Sequence, residues 1–573
     1  MSRLDVLRIG NFKAFGRTQR VPLRPITLLF GANSSGKSSV IHSLALAQHA
    51  AETGDVDVHR TSVGGDSIDL GGYRSYVHRR YWWNHQVELA FEWSDGTAAR
   101  RLGLPEASRV GIELSISADG ADSVAGALVS RYALLVDGAP LLTMSARSGG
   151  VLVLDLLDAD HSAFKGVFSQ RPPLVPASIA RTGQLLPAAE AVVGAGAEPG
   201  RKLFPRFRRA SGHQRPAGAL ESGRENRLRQ LLDGAAAPVE EALGSFRYLG
   251  PLRSYPPRQL NSSSGAVDPN WLAGGGHAWD VVRTNDGVRG RVNEWLGDTG
   301  RLKTPYELQV QELLPAGDLE FELGLRLGET LDQAALKLLE EVERSESQAA
   351  RSELASTPFS DQGESLARVL ELIRQGTDKR SAADNEVLDG EIANVVGDII
   401  ESDTVAEGWI RDAVAGRRGE ARSELSLIDK RSVTPVSHRD VGIGVSQLLP
   451  VLVAAFASSD KWIAIEQPEI HLHPALQAEL GDVFLESALG EAGNRFLIET
   501  HSEHLMLRIL RRIRETSDGE EVGFPVKPED VAVLYVEPGS EGAEVVHIPI
   551  TPDGDFAHPW PDGFFDEREE ELF

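Results

Sequence analysis

Two short apolar runs near the start, Leu4-Asp5-Val6-Leu7-Arg8-Ile9 and Pro25-Ile26-Thr27-Leu28-Leu29-Phe30, are each bounded by Gly or Pro and predict two strands. A glycine-rich segment follows. Beyond it, residues 38 to 51 carry Val40, Ile41, Leu44, Ala45 and Ala47 at the spacing of a helix packed on one face. Apolar stretches at 87 to 93, 110 to 116, 132 to 136 and 151 to 157 alternate with Gly, Asp and Ser turns and predict a β-rich arm. Residues 171 to 220, dense in Pro, Ala, Gly and Arg without a period, read as a long surface loop. Residues 330 to 425 alternate acidic and basic positions around Leu, Ala, Val and Ile, the pattern of several helices with solvated faces. Strand patterns return at 425 to 429, 461 to 465, 495 to 498 and 531 to 536, with helices between them. Strand and helix thus alternate at both ends of the chain, which predicts one α/β unit split by insertions.

Length and charge narrow this picture. At 573 residues the chain calls for two or three structural units. The absence of cysteine excludes disulfides and thiolate metal sites. The start carries no signal-peptide pattern, and no apolar run approaches the ~20 residues that cross a bilayer, so the expectation is a soluble, cytoplasmic protein without membrane contact. A formal net charge of -25 excludes broad attraction to nucleic acid and leaves only a local patch. Arg201, Lys202, Arg206, Arg208, Arg209 and Arg215, interleaved with Phe204 and Phe207, have the composition of such a patch, or of a loop that meets the protein's own acidic surface.

The segment Gly31-Ala32-Asn33-Ser34-Ser35-Gly36-Lys37-Ser38 lies between a predicted strand and a predicted helix. Glycines let such a loop wrap an anion, and the N–H groups from Asn33 through Ser39 at the helix start point inward. Lys37 is placed for β- and γ-phosphates, and the Ser38 hydroxyl for Mg²⁺, which prefers hard oxygen ligands. Trp462-Ile463-Ala464-Ile465-Glu466-Gln467-Pro468-Glu469 is an apolar run ending in acid, and Glu466 takes the second metal-holding position. Gln467 falls where related ATPases place the glutamate that activates water, and an amide cannot accept that proton. Glu469, His471 and His473 alternate as metal ligands can, yet they belong to a motif with another explanation, and no zinc site is predicted.

Four further stretches carry a resemblance. Ile9-Gly10-Asn11-Phe12-Lys13-Ala14-Phe15 resembles the first strands of SMC, RecF and OLD family ATPases. Asp440-Val441-Gly442-Ile443-Gly444-Val445-Ser446-Gln447 is similar to their signature motif, Glu469-Ile470-His471-Leu472-His473-Pro474 to the stretch after Walker B, and Glu499-Thr500-His501-Ser502 to the switch-histidine segment, in the family's order. The likeness spans 1 to 80 and 245 to 573, and Trp560-Pro561-Asp562-Gly563-Phe564-Phe565-Asp566-Glu567 is similar to the tail of a branch that includes Septu-type anti-phage ATPases.

What the resemblance implies is an ABC-type head, split in sequence, that dimerises around two ATPs. Gly444, Ser446 and Gln447 of one subunit complete the partner's site, with Ser446 on a γ-phosphate in trans, and His501 senses the γ-phosphate. The catalytic set is Glu466, Gln467, Glu469 and His501, with the lost base only partly recovered by Glu469 or Glu466. The implied division is 1–80 and 426–515 for the two halves of the head, 81–170 for the β-rich arm, 171–244 for the basic insertion, 245–329 for returning head elements, 330–425 for the helical insertion and 516–573 for the tail. The expected function is a slow ATP- and Mg²⁺-dependent switch read by a partner, in the resembling branch a separately encoded nuclease. The alternatives are a RecF-like DNA-binding ATPase and a catalytically silent nucleotide-bound scaffold. Leu70-Gly71-Gly72-Tyr73-Arg74 lies where a Q-loop is expected, without its glutamine.

Overall fold

Strands covered on both faces must be apolar at nearly every position, and four segments meet that demand: β3 (Ile26–Phe30), β13 (Trp462–Glu466), β14 (Arg495–Glu499) and β15 (Val531–Glu537). In the computed structural model they lie in one six-stranded sheet of order β16-β15-β3-β14-β13-β9, where β9 is Phe246–Leu249 and β16 is Glu544–Ile548. All pairs are parallel except the β15–β16 hairpin. The structure describes residues 4–94, 96–104, 106–118, 126–146, 152–158, 160–164, 203–204, 219–253, 270–297, 301–313, 422–436, 443–520 and 523–561. Residues 330–421 of the expected helical insertion, most of the basic run, Asp440-Val441-Gly442 and the tail from Asp562 onward fall outside these residues, and the last four residues of that expected insertion, 422–425, lie in a strand instead of a helix.

A second, seven-stranded sheet runs β2-β1-β4-β5-β6-β7-β8, from Gln19–Pro22 and Val6–Gly10 through Val87–Trp93, Val110–Ala118, Ala127–Val136 and Ala139–Ala146 to Leu152–Leu157. The β-rich stretch is therefore continuous with the N-terminal strands, because β4 pairs antiparallel with β1. A small sheet orders β10 (Tyr306–Leu313), β11 (Arg422–Asp429) and β12 (Thr434–Val436).

Helix α1 (Lys37–Thr53) leaves the end of β3 and buries Val40, Ile41, Leu44, Ala45 and Ala47, the face its spacing predicts. It packs on α2 (Ala219–Ser245). Their side chains join those of β1, β4 and β5 in one continuous apolar cluster that includes Leu7, Ile9, Phe91, Ile112, Leu231 and Leu243. Helix α5 (Ile443–Phe456) packs on α3 (Gly276–Thr284) and α4 (Asp286–Gly297), and α6 (Pro474–Leu489) packs on α7 (Glu503–Ser517). Contacts divide the chain into one unit of Met1–Gln309 with Ser426–Phe573 and a second of Val310–Leu425. Among the described residues no helix is long and apolar enough to cross a membrane.

Candidate functional site

Parallel strands in register bring their carboxyl ends to one edge, and four such ends meet here. From β3 comes the loop Gly31–Lys37, whose glycines are sterically required. Gly36 caps α1 at φ 109°, and a Cβ there would lie 2.4 Å from the Ala14 methyl carbon. The N-terminal Asn11-Phe12-Lys13-Ala14 stretch thus closes directly over the loop. Asn33 and Ser34 are exposed, while Ser35 and Ser39 are buried. The Ser35 hydroxyl has no hydrogen-bond partner among the described residues, an orphaned polar group inside the glycine-rich loop.

Lys37 is folded back, its Nζ donating to the Gly31 and Ala32 carbonyls at 3.0 and 2.9 Å. Burial lowers its pKa against the attraction of Glu499. Ser38 Oγ donates to Glu499 Oε2 at 2.6 Å. Register sets this contact's companion, since Glu499 on β14 is paired with Glu466 on β13. Glu466 Oε1 accepts from the Tyr248 hydroxyl at 3.0 Å and lies 3.8 Å from His42 Nε2. Burial, then the charge of Glu499, pushes the Glu466 carboxyl up to about 7. His42 in turn meets Lys13 Nζ at 2.7 Å through Nδ1, and burial, with Lys13's charge, lowers the imidazole to about 3. Lys13 is lowered to about 8, chiefly by burial.

Hydroxyl and carboxylate oxygens around Ser38 match the donor set of a hard divalent cation. Among the described residues no group of three or more His, Asp or Glu side chains forms a metal cage. The donors therefore fit Mg²⁺ that takes its remaining ligands from phosphates and water, as that ion usually does.

Gln467 follows Glu466 in a left-handed conformation, φ 44°, with its N–H on the Glu499 carbonyl at 2.7 Å. Glu469 is buried, and its Oε1 accepts the His501 amide at 2.7 Å, so the two motif segments lock together. Burial raises the Glu469 carboxyl and lowers the His501 imidazole, the latter aided by Lys37. His501 is positioned by the start of α7, where Ser502 accepts the Leu505 N–H at 3.1 Å as the N-cap and donates to Gln477 Oε1 at 2.7 Å. His471 and His473 are exposed, unlike Glu469, and His473 caps α6 through Nδ1.

On α5, Gly444 serves close packing within the chain: a Cβ there would sit 2.9 Å from the His471 carbonyl oxygen. Ser446 is 2% exposed, and Gln447 Nε2 donates to the Arg253 carbonyl at 2.9 Å. Phe204 is buried in the core, which removes it from any stacking role. Glu499 lies inside a motif whose pattern gives it no role, and nothing in the local sequence marks Tyr248, His42 or Arg253. The acid at 499 immediately before Thr500-His501 was the available signal.

Residues 331–507, which include Glu466 and His501, match the family described as an AAA domain, putative AbiEii toxin, Type IV TA system. Residues 526–573 match a family described as a protein of unknown function, DUF3696. The chain is thus similar over this segment to AAA-domain proteins, and in its sheet one strand, β14, separates β3, which precedes the glycine-rich loop, from the acid-bearing β13.

No curated protein matches the chain. Solved structures similar to it include an SMC head bound to the C-winged helix domain of ScpA, at 10% identity and TM-score 0.36, covering 95% of this chain and 98% of that one. An Smc head with an extended coiled coil bound to the C-terminal domain of ScpA, derived from Pyrococcus furiosus, matches at 11% identity and TM-score 0.32, covering 100% and 99%. The SMC head domain from Thermotoga maritima matches at 8% identity and TM-score 0.32, covering 96% and 100%. Likeness of this degree specifies neither a partner nor an assembly for this chain.

Proposed function

We propose that this chain is a cytoplasmic ATP-driven switch: a head split in sequence that binds ATP with Mg²⁺, dimerises around it, hydrolyses it slowly and is read by a partner effector. The observation that carries the reading is the meeting of Lys37, Ser38, Glu499 and Glu466 at one sheet edge with an amide, Gln467, beside them. Ser38, Glu466 and Glu499 hold the cation, which when bound offsets the charge of the phosphates. Lys37 exchanges the loop carbonyls for phosphate oxygens. His501, kept neutral, donates its ring N–H to the γ-phosphate without adding charge. For Ser446 to reach a partner's nucleotide, the residues covering it must move, which ties dimerisation to a rearrangement at the start of α5.

Losing a general base costs roughly 10²- to 10⁴-fold in rate, which lengthens the bound state without preventing binding. Turnover by the wild type is therefore expected to be slow, Gln467→Glu to accelerate it, and Lys37→Ala to lose ATP binding. Fast turnover that survives Lys37→Ala contradicts the reading. Gln467 also supports a second reading, a scaffold without catalysis, which complete absence of phosphate release would favour. The resemblance of the tail supports a separately encoded nuclease in anti-phage defence as the effector, and a neighbouring nuclease reading frame whose product co-purifies with this chain only in ATP tests it.

A further inference from the structure

Arg253 follows β9, the edge strand beside β13, and is 4% exposed. Its Nη2 donates to the Glu466 carbonyl at 2.9 Å and lies 3.4 Å from that of Gln467. Its Nε and Nη1 have no acceptor among the described residues. Glu469 exerts the strongest attraction on the guanidinium, but Glu469 Oε1 is committed to the His501 amide and no hydrogen bond joins the two side chains. A buried guanidinium with open donors is costly in an empty protein, and removing such donors' partners is among the more expensive changes a fold can suffer. Retaining one makes physical sense where an anion arrives to complete it. The carboxylates at this edge make no hydrogen bond to the open Nε and Nη1, and the anion proposed to arrive there is the terminal phosphoryl of a nucleotide held by Lys37, beside Gln467, whose carbonyl Arg253 approaches.

We propose that Arg253 is a phosphate-contacting residue that recognises the γ-phosphate of ATP from within the same chain. The inference rests on the ATP-site reading above. Its backbone carbonyl accepts from Gln447 on the signature helix α5, so occupancy of the guanidinium by phosphate is communicated one hydrogen bond away from Ser446. The nucleotide's terminal phosphate and the surface proposed to meet a second subunit thereby share one residue.

Thermal melting and equilibrium binding of the full chain with Mg²⁺ and either ATP or ADP test this. Arg253→Met is expected to weaken ATP binding by about tenfold to a hundredfold, the worth of a charge-assisted hydrogen bond, and to leave ADP binding within about threefold of wild type. The substitution removes the hydrogen bond to the Glu466 carbonyl and the cation facing Glu469, so the nucleotide-free variant is expected to melt lower than wild type, and the proposal is read from the ratio of ATP to ADP affinity. Unchanged ATP affinity overturns the proposal, as does an equal loss for ATP and ADP, which marks a structural role. If Arg253→Met does not fold, Arg253→Lys decides: weaker ATP binding with ADP unaffected supports the proposal, and wild-type affinity for both overturns it. Wild-type protein that ignores ATP, or Lys37→Ala that binds it normally, points instead to failure of the ATP-site reading itself.

Discussion

Glu466 sits where a metal-holding carboxylate is expected, yet in the nucleotide-free chain burial and Glu499 keep it protonated to about pH 7 against a usual 4.5. The folded state therefore holds one proton more than the unfolded state between those values. That contribution to stability is fully present below the carboxyl's unfolded pKa and is lost as pH rises through about 7. Glu466→Gln removes the term, so without nucleotide its stability relative to wild type should rise from about pH 5 to about pH 8, by on the order of 1–3 kcal/mol. Denaturant unfolding of both proteins at the two pH values measures it, and a difference that does not change with pH contradicts the assignment. Neighbouring histidines His42 and His501 carry shifts of opposite consequence, but they are common to both proteins and largely cancel in the comparison.

The loop and helix proposed to hold phosphate are specified by local residues. Gly31 and Gly36 adopt left-handed or otherwise glycine-only backbone, and each is closed in by another part of the chain, Val536 and Ala14 respectively. Gly36→Ala strains φ and drives a methyl into Ala14, so a loss of about 2–4 kcal/mol and of ATP binding is expected in chemical denaturation and equilibrium binding. Such features were readable in advance because strand, loop and helix are contiguous. The strands around 87, 110, 132, 462, 495 and 531 were readable for the same reason, their apolar positions being covered within the sheets. Strand β7 was not: Pro140 near its start and Thr143 and Ser145 within it interrupt the apolar pattern, and its pairing with β6 supplies what its sequence does not announce.

Pairing across hundreds of residues accounts for what the sequence hid in the site. Ser38 meets Glu499, Tyr248 meets Glu466 and Arg253 meets Glu466 only because β3, β14, β13 and β9 align in one sheet. No periodicity encodes that alignment, and a lone Arg in a Gly-Pro-Leu-Arg turn reads as surface until its burial is seen.

At the scale of the whole molecule, the six-stranded sheet takes β3 from the first 30 residues, β9 from the middle and β13 to β16 from the last third of the chain. The proposed nucleotide site is thus assembled from segments far apart in the chain. In the proposed account ATP also joins two such molecules, with α5 carrying the message through Gln447 and Arg253. The most direct test is the solution mass of the full wild-type chain with Mg²⁺ and ATP, with ADP, and without nucleotide, turnover being recorded on the same samples. The account predicts that the mass doubles with ATP alone and that phosphate release is slow while it does. A mass that ATP leaves unchanged in protein shown to have bound it contradicts the account.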